Sequence, residues 1–322
     1  MFDAVLIVSF GGPQGMADIR PFLANVLRGR HVPASRVEEV ARHYEHFKGV
    51  SPITELTNQQ AVGLQERLKA SGHSLPIYIG MRNWHPLLPD TLRQMSDDGV
   101  RKAVGFITAA QHSYSSCQQY RQNVTDARAE LRSAGKPDVE VTYVQSWFDH
   151  PLFIETNALH VREALAKLPP NLRGQARLVC TAHSIPLQMA EESLYREQLD
   201  TSARLVAERA GMKEWALVYQ SRSGRPETPW LEPDICDYLR NEHANGLSAA
   251  VICPIGFVCD HVEVLWDLDE EAAAICKECG IAMARAEAAN ADPCFIELMA
   301  DVVLKEIRRY HTGRPLTLTR PE

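Results

Sequence analysis

Along this chain, short and almost uninterrupted apolar runs alternate with longer stretches in which apolar side chains recur every three or four positions. The short runs, rich in Val, Ile, Leu and Ala, predict strands over residues 4–9, 76–80, 103–108, 139–144, 177–183, 216–220, 249–255 and 281–285. The amphipathic stretches predict helices over residues 57–71, 116–134, 155–168, 194–210 and 231–245. A strand that is apolar on both faces and followed by a long connection belongs to a parallel sheet covered by helices on either side. The expected fold class is therefore α/β, with parallel sheets flanked by helices.

At 322 residues the chain exceeds the roughly 100–200 of a single domain, which points to two. Residues 167–174, Lys-Leu-Pro-Pro-Asn-Leu-Arg-Gly, are polar and proline-rich and break the pattern between two α/β halves. The helix before them, from about Phe153, fits either half. The expected division is two Rossmann-like domains, 1–150 and 151–312, with a tail over 313–322. In such sheets ligands sit beyond the C-terminal ends of the strands, often where two halves face each other. Four strand exits therefore carry the search, at residues 9–13, 181–184, 220–224 and 256–261.

Composition narrows the function classes. Hydrophobic residues make up 45% and charged residues 23%, an ordinary globular balance that excludes a disordered or collagen-like chain. With 41 acidic and 34 basic side chains the net charge is −7, which argues against wholesale nucleic-acid binding. No apolar run approaches the ~20 residues that cross a bilayer. The N-terminus has an acidic third residue and a short β-rich run in place of a signal peptide, so a cytoplasmic location is expected. The cysteines, at 117, 180, 236, 253, 259, 276, 279 and 294, are scattered and read mostly as small buried hydrophobes.

The Gly11-Gly12-Pro13 turn is neither a P-loop nor a dinucleotide fingerprint, so no nucleotide cofactor follows from it. His183 ends a strongly apolar strand and admits two readings, a satisfied buried imidazole or a base or metal ligand facing a cleft. The strongest feature is residues 254–271, a strand running through a turn into an acidic helix. Glu263, Asp267 and Glu271 are spaced by four and share one side of that helix. Each step rises about 6 Å and drifts about 40° on an ideal α-helix, and a π-bulge would remove part of the drift. Asp269 and Glu270 read as a solvated acidic face, which also suits the helix dipole. Glu263, beside His261 at a strand exit, does not. Imidazole plus carboxylate suits divalent first-row metals including iron, and the set is too open for a structural zinc site. A line of carboxylates can pass a metal ion inward or protons outward. Cys276-Lys277-Glu278-Cys279 lacks a second pair and reads as structural.

Taken in order, Ser9-Phe10-Gly11-Gly12-Pro13, Gly49-Val50-Ser51-Pro52, Ala182-His183-Ser184-Ile185-Pro186, Tyr219-Gln220-Ser221, Pro229-Trp230-Leu231-Glu232-Pro233-Asp234 and Asp260-His261-Val262-Glu263 carry a resemblance to the ferrochelatase family. These enzymes insert ferrous iron into a porphyrin, and the resemblance spans nearly the whole chain. It implies two Rossmann-like domains with a porphyrin cleft between them. It places His183 and Glu263 as the catalytic pair at the metal-binding face, with Asp267 and Glu271 as the acidic ladder leading away. Phe10, Ser51, Tyr120 and Trp230 are the implied porphyrin contacts, with Arg28, Arg30 and His43 adding positive charge nearby. The chemistry agrees independently. Inserting a dication requires two pyrrole protons to leave and a flat macrocycle to bend, hence a base, a metal donor and shaping walls.

The pattern around residues 10–30, 46–52 and 220–233 looks most like actinobacterial relatives that use coproporphyrin III, giving coproheme on the way to haem b. Protoporphyrin IX is the alternative substrate, and a non-enzymatic tetrapyrrole carrier or a sirohydrochlorin chelatase the more remote readings. Phe10 stands where some relatives carry an iron-ligating tyrosine, and Leu27 and His43 stand where they carry arginines. Fe2+ is expected as a substrate, with no permanently bound cofactor. An iron–sulfur cluster is not expected, since the chain after Ala300 contains no cysteine. The expected partners are the porphyrin and ferrous iron, with the protein monomeric and in transient contact with neighbouring haem-pathway enzymes.

Overall fold

A computed structural model describes residues 1–29, 32–223 and 227–311. Arg30 and the tail 313–322 lie outside the described residues. Among the described residues eight strands form two separate four-stranded sheets in which every strand pairing is parallel. The first holds β1 (Ala4–Ser9), β2 (Ile77–Met81), β3 (Lys102–Ile107) and β4 (Glu140–Tyr143) in the order β2-β1-β3-β4. The second holds β5 (Arg177–His183), β6 (Trp215–Gln220), β7 (Ala249–Cys253) and β8 (Ala282–Arg285) in the order β6-β5-β7-β8. The two orders are the same permutation. Both sheets reverse direction of winding at their first strand, which opens a crevice at the C-terminal edge between β1 and β3 and between β5 and β7.

The connections of the first half hold α1 (Ile19–Val26), α2 (Ala34–His46), α3 (Ile53–Ala70), α4 (Leu88–Asp97) and α5 (Gln119–Ser133). Those of the second hold α6 (Pro151–Lys167), α7 (Leu187–Glu191), α8 (Tyr195–Ala210), α9 (Ile235–Ala244), α10 (Val262–Val264), α11 (Ala273–Cys279) and α12 (Pro293–His311). Two π-helical segments, Tyr114–Gln118 and Leu265–Ala272, interrupt this regular pattern.

β1 and β7 are buried at every position, which is why their sequences read as unbroken apolar runs. β7 stops at Cys253 because Pro254 cannot donate to the ladder, two residues short of the predicted end. The predicted helix at 231 begins instead at Ile235, after Pro233, where the Asp234 side chain accepts from the Cys236 amide at 2.8 Å. One apolar cluster runs through both halves, joining Ile7 and Phe106 to Leu178 and Val251 through Phe153 and Phe295. α6 packs on α8, α12 and β7, while α12 also crosses to α3 of the first half. Among the described residues no helix is long and apolar enough to cross a membrane.

Candidate active site

His183 ends β5 and pairs in register with Gln220 of β6. Its Nδ1 lies against the Ser184 carbonyl oxygen, which can only accept, so Nδ1 carries a proton. In the neutral ring the lone pair is then on Nε2, and Nε2 stands 3.9 Å from Glu263 Oε2. Both side chains are about one-third exposed, at 34% and 38%. The Tyr195 hydroxyl donates to the His183 carbonyl at 3.0 Å and anchors the strand end from α8. The satisfied, buried imidazole is therefore not what the fold makes of His183.

Glu263 reaches this point from the exit of β7, across a turn that passes tightly under β5. A Cβ at Gly256 would sit 2.5 Å from the Ala182 Cβ, so only glycine allows the approach. Beyond Glu263 the helix widens into the π-segment Leu265–Ala272, which takes up part of the drift of an ideal α-helix. Asp267 lies over β6, accepting from Gln220 Nε2 at 3.1 Å and from the Ser221 hydroxyl. Burial, aided by the neighbouring Glu263 and Glu271 carboxylates, pushes the Asp267 carboxyl up to about 7 against those hydrogen bonds. Glu271 is exposed and accepts from the Trp266 indole at 2.8 Å. Burial pushes the His261 imidazole down. Asp269 and Glu270 are exposed, as expected, yet both are engaged, with Arg285 at 2.7 Å and His46 at 3.1 Å.

The residues expected from the first half gather at the C-terminal edge of its sheet. Phe10 follows β1 and packs edge-on against Phe22 at 6.2 Å. Val262, next to Glu263, lies in one apolar cluster with Phe22 and Tyr44, against which Phe10 and Trp84 also pack. The two halves therefore meet beside Glu263. Ser51 and Tyr120 are buried, 2% and 7% exposed. Gly49, at φ 72° with its Cα facing the Gly15–Met16 backbone, lets the Ser51 turn close on the loop after β1. Arg28 is exposed and donates to Asn25 at 2.8 Å; Asn25 donates to the Asn83 carbonyl, and Asn83 to that of Phe10. His43 stacks flat on Trp266, with centroids 4.0 Å apart and planes 10° apart. Burial, first, and the Arg36 and Arg42 charges push the His43 imidazole down. Trp230 bridges Pro186 just after His183, and its buried indole N–H has no hydrogen-bond partner among the described residues, as is true of Thr181 Oγ1 and Gln220 Oε1 nearby.

Arg82 and Trp266 escaped the sequence reading. Arg82 follows β2, and its guanidinium lies 4.5 Å from the Tyr120 ring centroid and 5.9 Å from that of Phe10. Nε donates to Asn123 at 2.7 Å. The strand-exit rule would have found it, since β2 ends at Met81. Trp266 is hidden by its acidic neighbours, whose spacing draws the eye. Cys276 and Cys279 lie on α11 as free thiols, Cys276 buried and pushed up to about 12 by that burial. Among the described residues no three His, Cys, Asp or Glu side chains close on a common metal position; His183 and Glu263 form a two-donor pair.

A family model described as ferrochelatase matches residues 2–307. The chain is 48% identical over 305 residues to the coproporphyrin III ferrochelatase of Mycolicibacterium smegmatis, covering 94% of this chain and 89% of that one. It is 49% identical over 307 residues to the ferrochelatase of Rhodopirellula baltica, covering 95% and 86%. Among solved structures it resembles SirB from Bacillus subtilis with Fe3+, at a TM-score of 0.59 and 11% identity, covering 97% of this chain and 98% of that one. That likeness bears on the fold, a two-domain chelatase architecture.

Proposed function

The chain belongs to the ferrochelatase family, which makes it a porphyrin metal chelatase, and from that premise we propose that it inserts Fe2+ into coproporphyrin III to give coproheme. The observation that carries the reading is the pair His183 Nε2 and Glu263 Oε2, 3.9 Å apart, the first at the end of β5 and the second on the short helix that follows the neighbouring strand β7. Insertion exchanges one dication for two pyrrole protons. An imidazole with Nδ1 tied to a carbonyl presents one basic lone pair, and a carboxylate beside it stabilises the imidazolium once a proton is taken. The same two donors suit Fe2+ before it enters the ring.

Asp267, titrating near neutrality, accepts and releases a proton at little cost, and with Glu271 it continues the path outward. Phe10 and Tyr120 on the opposite wall, and Trp230 beside Pro186 on the wall of His183, offer apolar surface to the macrocycle, with Ser51 at its edge. Coproporphyrin III carries four propionates, so cations at the rim decide its affinity, and Arg28 and Arg82 supply them. Iron is cargo in this scheme and no further cofactor takes part. The enzyme acts as a cytoplasmic monomer, handing coproheme to the next haem-pathway enzyme by transient contact. Anaerobic incubation with Fe2+ and coproporphyrin III tests the reading: loss of the free-porphyrin bands with many turnovers is expected, and stoichiometric binding without insertion would make the protein a carrier.

A further inference from the structure

The acidic helix is tied at two points to one side chain from outside it. Immediately before it, Asp260 is only 10% exposed, and its two oxygens are both engaged. Oδ2 accepts from Asn290 Nδ2 at 2.8 Å, while the Asp260 amide donates to Asn290 Oδ1 at 2.8 Å. Oδ1 accepts from Arg285 Nη1 at 2.8 Å. The same guanidinium turns its Nε to Asp269 Oδ1, 2.7 Å away in the π-segment. Arg285 ends β8 and is 14% exposed, so its rigid fork is held by the sheet. Asn290, left-handed at φ 48°, is braced in turn from the first half, where Gln60 Nε2 donates to its carbonyl at 2.6 Å. One planar group thus ties the residue before the helix to a residue in its wide turn, and Glu263 and Asp267 lie between the two tie points.

We infer that Arg285 is a positioning residue: through Asp260 and Asp269 it fixes the π-turn on which Glu263 and Asp267 are presented. A π-turn is a locally unfavourable geometry that persists where surrounding contacts impose it. Without the bridge the segment relaxes toward a regular α-helix, and the carboxylates rotate out of line with His183. The kinetic consequence rests on the function proposed above, whereas the structural one does not.

Removing Arg285 outright strands the buried Asp260 carboxylate and endangers the fold. Asp269→Asn is the gentler cut, because Asp269 is 38% exposed and borders a surface groove of about 380 Å3. Hydrogen exchange read by mass spectrometry over residues 262–272 is expected to quicken at least fivefold in Asp269→Asn and further in Arg285→Lys, which reaches one carboxylate at a time. In steady-state insertion, kcat falls fivefold or more in both variants while the KM for porphyrin stays within twofold. Unchanged exchange in both variants overturns the inference, as does a kcat loss matched by an equal rise in porphyrin KM and tracking a fall in Tm. A wild-type protein that inserts no iron would refute the functional reading, and the exchange measurement would then decide the bridge by itself.

Discussion

His183 Nε2 and Glu263 Oε2 face each other at 3.9 Å, while Nδ1 of the same imidazole is tied to the backbone carbonyl of Ser184. Each partner arrives from the end of a central strand of the second sheet, at the place where its winding reverses. The tie to Ser184 fixes which nitrogen faces Glu263, so the pair is oriented before any substrate arrives.

Replacing either partner should therefore stop chemistry and spare binding. His183→Ala is expected to lower the insertion rate by about 10²–10⁴-fold, the range for loss of a positioned general base. Porphyrin fluorescence quenching on binding should stay measurable. Near-normal turnover in His183→Ala would remove the pair from the mechanism.

Asp267 carries a pH signature. Its carboxyl rises from 3.8 to about 7 on burial in the fold. The folded state thus binds this proton more tightly than the unfolded chain, and stability is lost as pH rises between those values. Asn does not ionise, so metal-free Asp267→Asn should be more stable than the parent at pH 8, by on the order of 1–4 kcal/mol, and equal to it near pH 4. Its use of Fe2+ should weaken, though less than in Glu263→Gln. Equal Tm differences at both pH values would contradict the burial argument.

The Arg82 guanidinium lies 4.5 Å from the Tyr120 ring centroid and 5.9 Å from that of Phe10, and Asn123, which accepts from its Nε, is neutral. A charge so placed is available to a propionate. A charge-assisted contact is worth roughly 1.5–3 kcal/mol, so Arg82→Met should raise the KM for coproporphyrin III by about 10–100-fold. Arg82→Lys should rescue only part of this, because an ammonium lacks the planar fork that can pair with both oxygens of a carboxylate. A KM within twofold of the parent in Arg82→Met would place the propionates elsewhere.

The parts legible in the sequence are those where burial is uniform. β1 and β5 begin and end where their apolar runs do, since a central parallel strand shows no polar face. The π-segment was legible as a spacing, because three carboxylates four residues apart align only if the turn widens. α2 is missing from the predicted helices although Val37, Val40, Ala41 and Tyr44 recur at helical spacing and share one apolar cluster; only two of them are fully buried, so the stripe is short and weakly apolar. Its contribution, His43 on Trp266, is a contact between distant segments that no local pattern records. Arg82 and Arg285 share this character. Each is a lone cation at a strand end, and its meaning comes from rings or carboxylates supplied by other elements.

The protein purified free of porphyrin should be colourless, with iron and acid-labile sulfide both far below one equivalent. All eight cysteines are free thiols, and seven of the eight, at 117, 180, 236, 253, 259, 276 and 279, lie in or against the apolar clusters. Stoichiometric sulfide with visible absorption would reveal a cluster and reopen the question of cofactors.

The most direct test compares porphyrins under one set of conditions. Anaerobic steady-state insertion of Fe2+ is measured with coproporphyrin III, protoporphyrin IX and sirohydrochlorin. The expected result is the highest kcat/KM for coproporphyrin III, by tenfold or more over protoporphyrin IX, and none for sirohydrochlorin. A higher kcat/KM for protoporphyrin IX would contradict the substrate assigned to this site.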